Sequence, residues 1–159
     1  MIANIKNIKS FNKSEIYFLV GGKKEDDILC LNELEGSDRI DLSICTENGS
    51  IGCKGRINLL CQDFFKFDFL PSLSQAKDMQ IFACGPLPML DYVANISSQY
   101  NVLCQISLDR SMACGIGVCQ GCAIKVKNIS NTNNYYYYKH VCKDGPVFDA
   151  KEIIWEELV

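Results

Sequence analysis

The sequence predicts an α/β protein: a domain with a parallel, three-layer sheet, followed by a small cysteine-rich domain. Over residues 1–108, short apolar runs with strand character alternate with segments of helical period, which is the pattern of a parallel sheet. Cysteine and glycine are concentrated after that point, between residues 114 and 122. We therefore expect two domains, residues 1–108 and residues 109–159.

The first elements follow from apolar spacing and from helix-capping residues. Residues 2–10 carry an isoleucine at every third position, which predicts a short helix. The apolar run Ile16–Val20, ended by two glycines, predicts a strand buried on both faces of a parallel sheet. Asp26 and Asp27 are candidate caps of a helix whose apolar residues recur between 28 and 34.

The next segments place two loops at strand ends. Arg39–Thr46 alternates apolar and polar residues as a strand does, and the polar, glycine-rich loop Thr46–Gly52 follows at its carboxyl edge. Ligands of open α/β sheets bind at such edges. After a helix predicted over 55–65 and a strand over 78–84, Cys84–Pro86 forms a strand-to-helix turn. Its amides favour an anion or a polar cofactor group, but an ordinary βα turn explains the tripeptide equally well.

The remaining segments surround the cysteines. We predict a helix from residue 86 to about residue 100, and strands over 101–108 and 122–127. Residues 128–138 form an Asn/Tyr-rich insertion, whose tyrosines are either a return strand or a compositional bias. Val147–Val159 is either a terminal helix packed on the body or a tail that faces a partner. The first alternative is favoured, because exposed large apolar residues need a reason.

A run of three cysteines is the strongest chemical signal in the chain. Cys114, Cys119 and Cys122 have the Cys-x4-Cys-x2-Cys spacing of a plant-type 2Fe-2S site, and Cys142 can supply the fourth thiolate. The glycines within this run let its backbone approach a flat cluster closely with the amides turned inward. The sequence therefore predicts a 2Fe-2S cluster held by four cysteines.

Two other interpretations of these cysteines remain open. A structural zinc site usually has two Cys-x2-Cys knuckles, and only one is present here; an inert cysteine loop is the other alternative. His140, the single histidine, is not needed as a ligand because four cysteines are available. The other six cysteines stand mostly among apolar neighbours, where free cysteine behaves as a small hydrophobe.

Composition narrows the class of protein. The net charge of -3 and the absence of a basic stripe argue against a nucleic-acid partner. The N-terminus lacks the apolar core of a signal peptide, and no apolar run is long enough to span a membrane. Ten cysteines without a secretion signal then suggest a reducing cytoplasm and not a disulfide scaffold.

The cysteine run belongs to longer stretches with a recognisable pattern. Residues 107–122 (SLDRSMACGIGVCQGC) and 141–148 (VCKDGPVF) resemble the electron-transfer subunits of class B dihydroorotate dehydrogenase, a family related to ferredoxin reductases. Weaker similarity at Phe82–Met89 and Thr46–Gly55 corresponds to the family's nicotinamide-side turn and cofactor-edge loop. The resemblance implies five cofactor contacts: Thr46, Gly49, Cys84, Gly85 and Pro86.

The resemblance also implies a function and its partners. In that family, electrons from dihydroorotate oxidation pass from FMN on a catalytic partner through a 2Fe-2S cluster to FAD, which reduces NAD, in pyrimidine biosynthesis. A complete subunit begins with an FAD-binding β-barrel and a glycine-rich nicotinamide loop, and the resemblance implies that this chain starts in the helix after that loop. FAD is therefore not expected on this chain, NAD binding is expected to be weak or absent, and a separate flavin-binding chain is a further candidate partner.

We expect a component of an oxidoreductase complex that is not catalytic alone. One alternative is a subunit of a sulfide- or ferredoxin-linked NADP reductase, which shares much of the architecture. Another is a non-catalytic remnant that binds a partner through the cluster domain or the C-terminal tail. The segment Lys143–Phe148 favours the dihydroorotate assignment.

Overall fold

The computed structural model describes residues 15–35, 39–69, 79–128 and 135–158. The helix predicted over 2–10 lies outside the described residues, as does the middle of the Asn/Tyr-rich insertion. The chain divides into two compact units, Met1–Phe64 and Phe65–Val159. The domain boundary expected after residue 108 stays a prediction.

The first unit contains a parallel three-stranded sheet in the order β1-β2-β3. Its strands are β1 (Ile16–Gly22), β2 (Ile40–Thr46) and the short β3 (Cys53–Lys54). A 3-10 turn (Glu25–Asp27) and helix α1 (Leu31–Glu35) connect β1 to β2, and helix α2 (Ile57–Asp63) follows β3. The parallel pairing, in register from Ile16 opposite Ile40, confirms the predicted α/β class.

Two details of the first unit differ from the prediction. Within the described residues β1 is half-buried and not covered on both faces, since Tyr17 is 46% exposed. Asp27, a candidate cap of the helix, instead caps the 3-10 turn Glu25–Asp27, in which it lies. The carboxylate of Asp27 accepts hydrogen bonds from the amides of Lys23 and Lys24, both at 3.1 Å.

The second unit is built on a βαβ crossover. Strand β4 (Gln80–Cys84) lies parallel to β5 (Leu103–Ser107), and the connection is helix α3 (Leu87–Gln99). As predicted, this helix begins at the proline-containing turn, directly after Pro86. Its buried residues recur with helical spacing: Leu90, Val93, Ala94, Ile96 and Ser97. That face is the one expected to pack on a sheet.

An antiparallel hairpin and an added strand complete the second unit. Strand β6 (Ala123–Lys127) pairs with β7 (Tyr136–His140), helix α4 (Val141–Asp144) follows, and β8 (Val147–Asp149) pairs antiparallel with β5. The tyrosine run is therefore a return strand, as one of the two interpretations had it. A 3-10 turn (Trp155–Glu157) ends the described chain.

The C-terminal segment packs on the body but forms no long helix. Ile153 is 0% exposed and bridges to Val126, which confirms the packing interpretation. Two ion pairs tie the same segment to the hairpin, one between Lys125 and Glu157 and one between Lys139 and Glu152. None of the helices in the described ranges has both the length and the apolar character that crossing a bilayer requires.

Candidate metal centre

The cysteine run lies in an irregular loop between β5 and β6. Three residues of this loop have positive φ angles: Gly115 (70°), Gly117 (83°) and Gln120 (60°). Glycine reaches this region without steric cost. At Gly117 a side chain would also be crowded, because a Cβ there would lie 3.2 Å from Lys143 Cδ. The loop therefore approaches α4, which carries the fourth predicted ligand.

Backbone amides of the loop are turned toward cysteine sulfurs. The amide of Cys119 donates to Cys114 Sγ at 3.4 Å, and the amide of Gly121 donates to Cys119 Sγ at 3.4 Å. The amide of Cys142 donates to Cys122 Sγ at 3.5 Å. Such N–H groups aimed at sulfur stabilise negative charge on the thiolate and on a cluster that it holds.

The structure brings Cys142 to the loop although twenty residues separate it from Cys122. Its pKa is raised, first by a hydrogen bond shared with the Cys122 thiol and also by the charge of Cys114, while the amide of Gly117 acts in the opposite direction. The thiols thus lie as two neighbouring pairs, Cys114 with Cys119 and Cys122 with Cys142.

Two of the thiols are already disposed to ionise. The amide of Cys119 is the main cause that lowers the pKa of Cys114 to about 6, and the amide of Cys142 lowers the pKa of Cys122. Thiolates are the form that binds metal. Within the described residues, no three His, Cys, Asp or Glu side chains converge to hold a single metal ion. Four thiols in two pairs with inward amides fit the donor set of a two-iron cluster better than a closed mononuclear zinc site.

The lowered pKa predicts how the metal-free chain reacts with iodoacetamide. Because the thiolate is the nucleophile and the pKa of Cys114 is about 6, its labelling rate should fall only about tenfold between pH 7.5 and pH 5. Free cysteine, with a pKa of about 8.5, should lose roughly 300-fold over the same range. Peptide mass spectrometry of the apo chain measures both rates.

Buried cysteines of the same chain provide the internal control. Burial raises the pKa of Cys104 and of Cys61 to about 11, so both should stay unlabelled at pH 7.5. Equal labelling of Cys114 and Cys104 at that pH would contradict the assigned geometry.

The loop presents both sulfur and apolar surface. Cys114 and Cys119 are exposed, whereas Cys122 is buried. Met112, Ile116 and Val118 are 50%, 69% and 74% exposed. Large apolar side chains this open, grouped beside reactive sulfur, are typical of a surface that another protein covers.

The two predicted cofactor contacts of the first unit, Thr46 and Gly49, stabilise the loop that follows β2. The Thr46 side chain is 0% exposed; its hydroxyl donates to the Ile51 carbonyl at 2.8 Å and accepts from the Ile51 amide at 3.3 Å. Thr46 therefore shapes the loop, and its role as a cofactor contact stays a prediction. Gly49, with φ of 76°, forms the turn, and its amide donates to the Thr46 carbonyl at 3.1 Å.

The Cys84–Pro86 turn has the predicted strand-to-helix geometry. Cys84 ends β4 and is exposed, and the Pro86 carbonyl accepts the first helical hydrogen bonds of α3 from Met89 at 2.9 Å and Leu90 at 3.1 Å. At Gly85 a Cβ would lie 2.7 Å from Met89 Cε, so a larger residue would displace that side chain. The role of this turn as a cofactor contact stays a prediction.

Two residues beside the cysteines have structural roles that the sequence did not predict. Gln120 adopts a left-handed conformation without being glycine, and Lys143 packs its aliphatic stem against Gly117. Neither residue has a motif or a periodicity that singles it out. The role of Lys143 depends on how α4 meets the loop.

Comparison with known proteins places these features in a family. Residues 109–154 match the model described as the iron-sulfur cluster binding domain of dihydroorotate dehydrogenase B. The dihydroorotate dehydrogenase B (NAD(+)) electron transfer subunit of Caldanaerobacter subterraneus subsp. tengcongensis is 36% identical over 148 residues, covering 92% of this chain and 52% of the relative. A probable electron transfer subunit from Methanocaldococcus jannaschii is 33% identical, covering 91% of this chain and 49% of its own length.

The chain spans about half the length of the curated relatives it matches. Among solved structures, that of an NADH-dependent reduced ferredoxin-NADP oxidoreductase, studied for flavin-based electron bifurcation, superposes with a TM-score of 0.68. It is 22% identical and covers 99% of this chain and 50% of that protein. This likeness confirms the ferredoxin-reductase-like fold and says nothing further about function.

Proposed function

This chain belongs to the family of dihydroorotate dehydrogenase B electron transfer subunits over the half of their length that it spans, and on that premise we propose that it is a 2Fe-2S electron-transfer component. It would connect an FMN-containing, dihydroorotate-oxidising subunit with FAD and NAD chemistry in pyrimidine biosynthesis. The observation that carries the proposal is the set of hydrogen bonds that backbone amides donate to cysteine sulfurs. These amides and cysteines lie within the residues that the family model matches.

The residues of this chain would divide the work as follows. Cys114, Cys119, Cys122 and Cys142 hold the metal. When bound, a 2Fe-2S cluster supplies a one-electron carrier. The amides of Cys119, Gly121 and Cys142 stabilise the negative charge on the sulfurs that they contact.

The exposed side of the loop is the proposed contact with the catalytic subunit. Ile116 and Val118 are 69% and 74% exposed, beside the exposed thiol of Cys119. A partner that covers them would bury apolar surface, which stabilises the complex, and would exclude water next to the metal site.

On the nucleotide side, the proposed contacts are the turn at Gly49 and the Cys84–Pro86 segment, with Thr46 holding the first loop in shape. The alternative of a sulfide- or ferredoxin-linked NADP reductase subunit is not favoured. The relatives at 33% and 36% identity are named as dihydroorotate dehydrogenase B subunits, and the reductase-like structure shares only the fold.

The test begins with metal content. Purified without oxygen, or reconstituted with iron and sulfide, the chain should be brown and hold about two irons and two sulfides. It should then be mixed with an FMN-containing dihydroorotate dehydrogenase catalytic subunit, and dihydroorotate should bleach the visible absorption. A colourless chain with one zinc would overturn the cluster; a brown chain that the catalytic subunit does not bleach would overturn the partner.

A further inference from the structure

His140 has a buried ring nitrogen with no hydrogen-bond partner. The residue ends β7, two positions before Cys142, and is the only histidine of the chain. Its side chain is 21% exposed, but Nε2 is buried and makes no hydrogen bond. A buried polar atom without a partner costs stability, and in native proteins such an atom usually marks an ion, a water or a ligand that satisfies it.

The rest of the residue is well held. Its backbone amide donates to Asp144 Oδ2 at 2.7 Å, and its Nδ1 lies 3.6 Å from the same carboxylate oxygen. The ring also faces the cysteine loop, because a Cβ on Gly117 would lie 3.9 Å from His140 Cγ. The imidazole is therefore fixed between Asp144 and the loop, and Nε2 is its one unassigned polar atom.

We propose that Nε2–H of His140 donates a hydrogen bond to a sulfur of the iron-sulfur cluster, an inference that rests on the proposed function. Nε2 carries a hydrogen both in one neutral tautomer and in the imidazolium, so either form can donate. His140 is not a ligand in this arrangement, since four thiols already complete the site. It is a positioning residue that sets the reduction potential.

The expected direction follows from charge. Adding an electron makes a cluster more negative, so a donated hydrogen bond stabilises the reduced form more than the oxidised form and raises the reduction potential. Removing the donor should lower the potential, while the four thiols and their amide hydrogen bonds remain in place.

A direct test uses the single histidine. Growth on histidine labelled with 15N only in its imidazole ring labels the side chain of His140 alone, and pulsed electron paramagnetic resonance of the reduced, reconstituted full chain then detects ring nitrogen close to the cluster. A weak 15N coupling is the expected result. A coupling as strong as that of a directly bound nitrogen would make His140 a ligand, and the absence of any coupling would place Nε2 elsewhere; either result overturns the proposal.

A pair of variants tests the effect on potential. His140→Leu should lower the reduction potential by the equivalent of about a tenfold change in the reduction equilibrium, which is 59 mV for a one-electron couple. His140→Gln keeps an N–H donor of similar reach and should recover part of the shift. A His140→Leu potential equal to that of the unchanged chain would refute the inference.

The iron content distinguishes a failure of the proposed function from a failure of the His140 assignment. A chain that binds no iron and sulfide fails the proposed function itself. A chain that holds its cluster but shows neither the 15N coupling nor the shift in potential fails only the assignment of His140. The 15N measurement needs no substitution, so it decides even where the His140→Leu variant does not fold.

Discussion

Replacing Cys142 with serine should abolish cluster binding. Cys142→Ser removes the one thiolate that reaches the loop from a different element, and a serine hydroxyl does not ionise at neutral pH to replace it. We expect the iron and sulfide content to fall at least roughly tenfold after reconstitution, with loss of the visible absorption. Electron transfer from a reduced catalytic subunit should disappear with it.

The matched control is a cysteine of the same chain outside the site. Cys53, in β3, is exposed and has no part in the loop, so Cys53→Ser should retain the iron, the sulfide and the colour of the unchanged chain. Circular dichroism separates loss of cluster from loss of fold. Full iron content in the Cys142→Ser chain would show that another group completes the site.

Replacing Gly52 with alanine should destabilise the first unit more than any other glycine substitution in its loop. Gly52 has a φ of 67°, and a Cβ there would lie 2.1 Å from the Ile44 carbonyl oxygen and 2.6 Å from the carbonyl carbon. Both atoms belong to the backbone of β2, which cannot move without breaking its pairing with β1. We expect the free energy of unfolding to fall by more than about 2 kcal/mol.

Gly49 separates the clash from the backbone strain. It also has a left-handed φ, 76°, but a Cβ there would meet only the side chain of Lys54, at 3.1 Å and beyond. Gly49→Ala should therefore cost about 1 kcal/mol, the strain of the conformation alone. Urea unfolding followed by circular dichroism measures both variants. Equal losses for the two would mean that β2 accommodates the extra methyl group, contrary to the geometry.

Local sequence was sufficient to predict most of the elements. The apolar run that becomes β1, the alternation that becomes β2 and the helical spacing that becomes α3 depend on neighbours within a few residues. Burial could not be predicted in the same way. The degree of cover on β1 depends on which elements pack over the two faces of the sheet, and a run of apolar residues does not carry that information.

The candidate metal centre shows the same division. The spacing of Cys114, Cys119 and Cys122 predicted the chemistry, because a loop of that length and glycine content is suited to wrapping a cluster. The spacing did not predict that Cys142 would pair with Cys122, nor that Cys119 would donate to Cys114. The site residues themselves stay predictions until metal content is measured.

Two further residues have side-chain environments that the sequence did not predict. Thr46, predicted as a cofactor contact, is enclosed, and its hydroxyl holds Ile51. His140, which the sequence analysis did not need as a ligand, has a buried ring nitrogen, and its ring lies beside the loop. In both, the side chain's partners come from the folding of a loop or from another element.

The sequence alone determined the class of fold, the family and the cysteines that are the candidate ligands, because periodicity, turn chemistry and ligand spacing are local properties of the chain. Only the tertiary structure decided that β8 returns antiparallel to β5, that the C-terminal segment packs on Val126, and that Cys142 lies beside Cys122. These features join residues far apart in sequence. Their partners are chosen by the burial and hydrogen bonding of the whole unit, and no short stretch of residues specifies that choice.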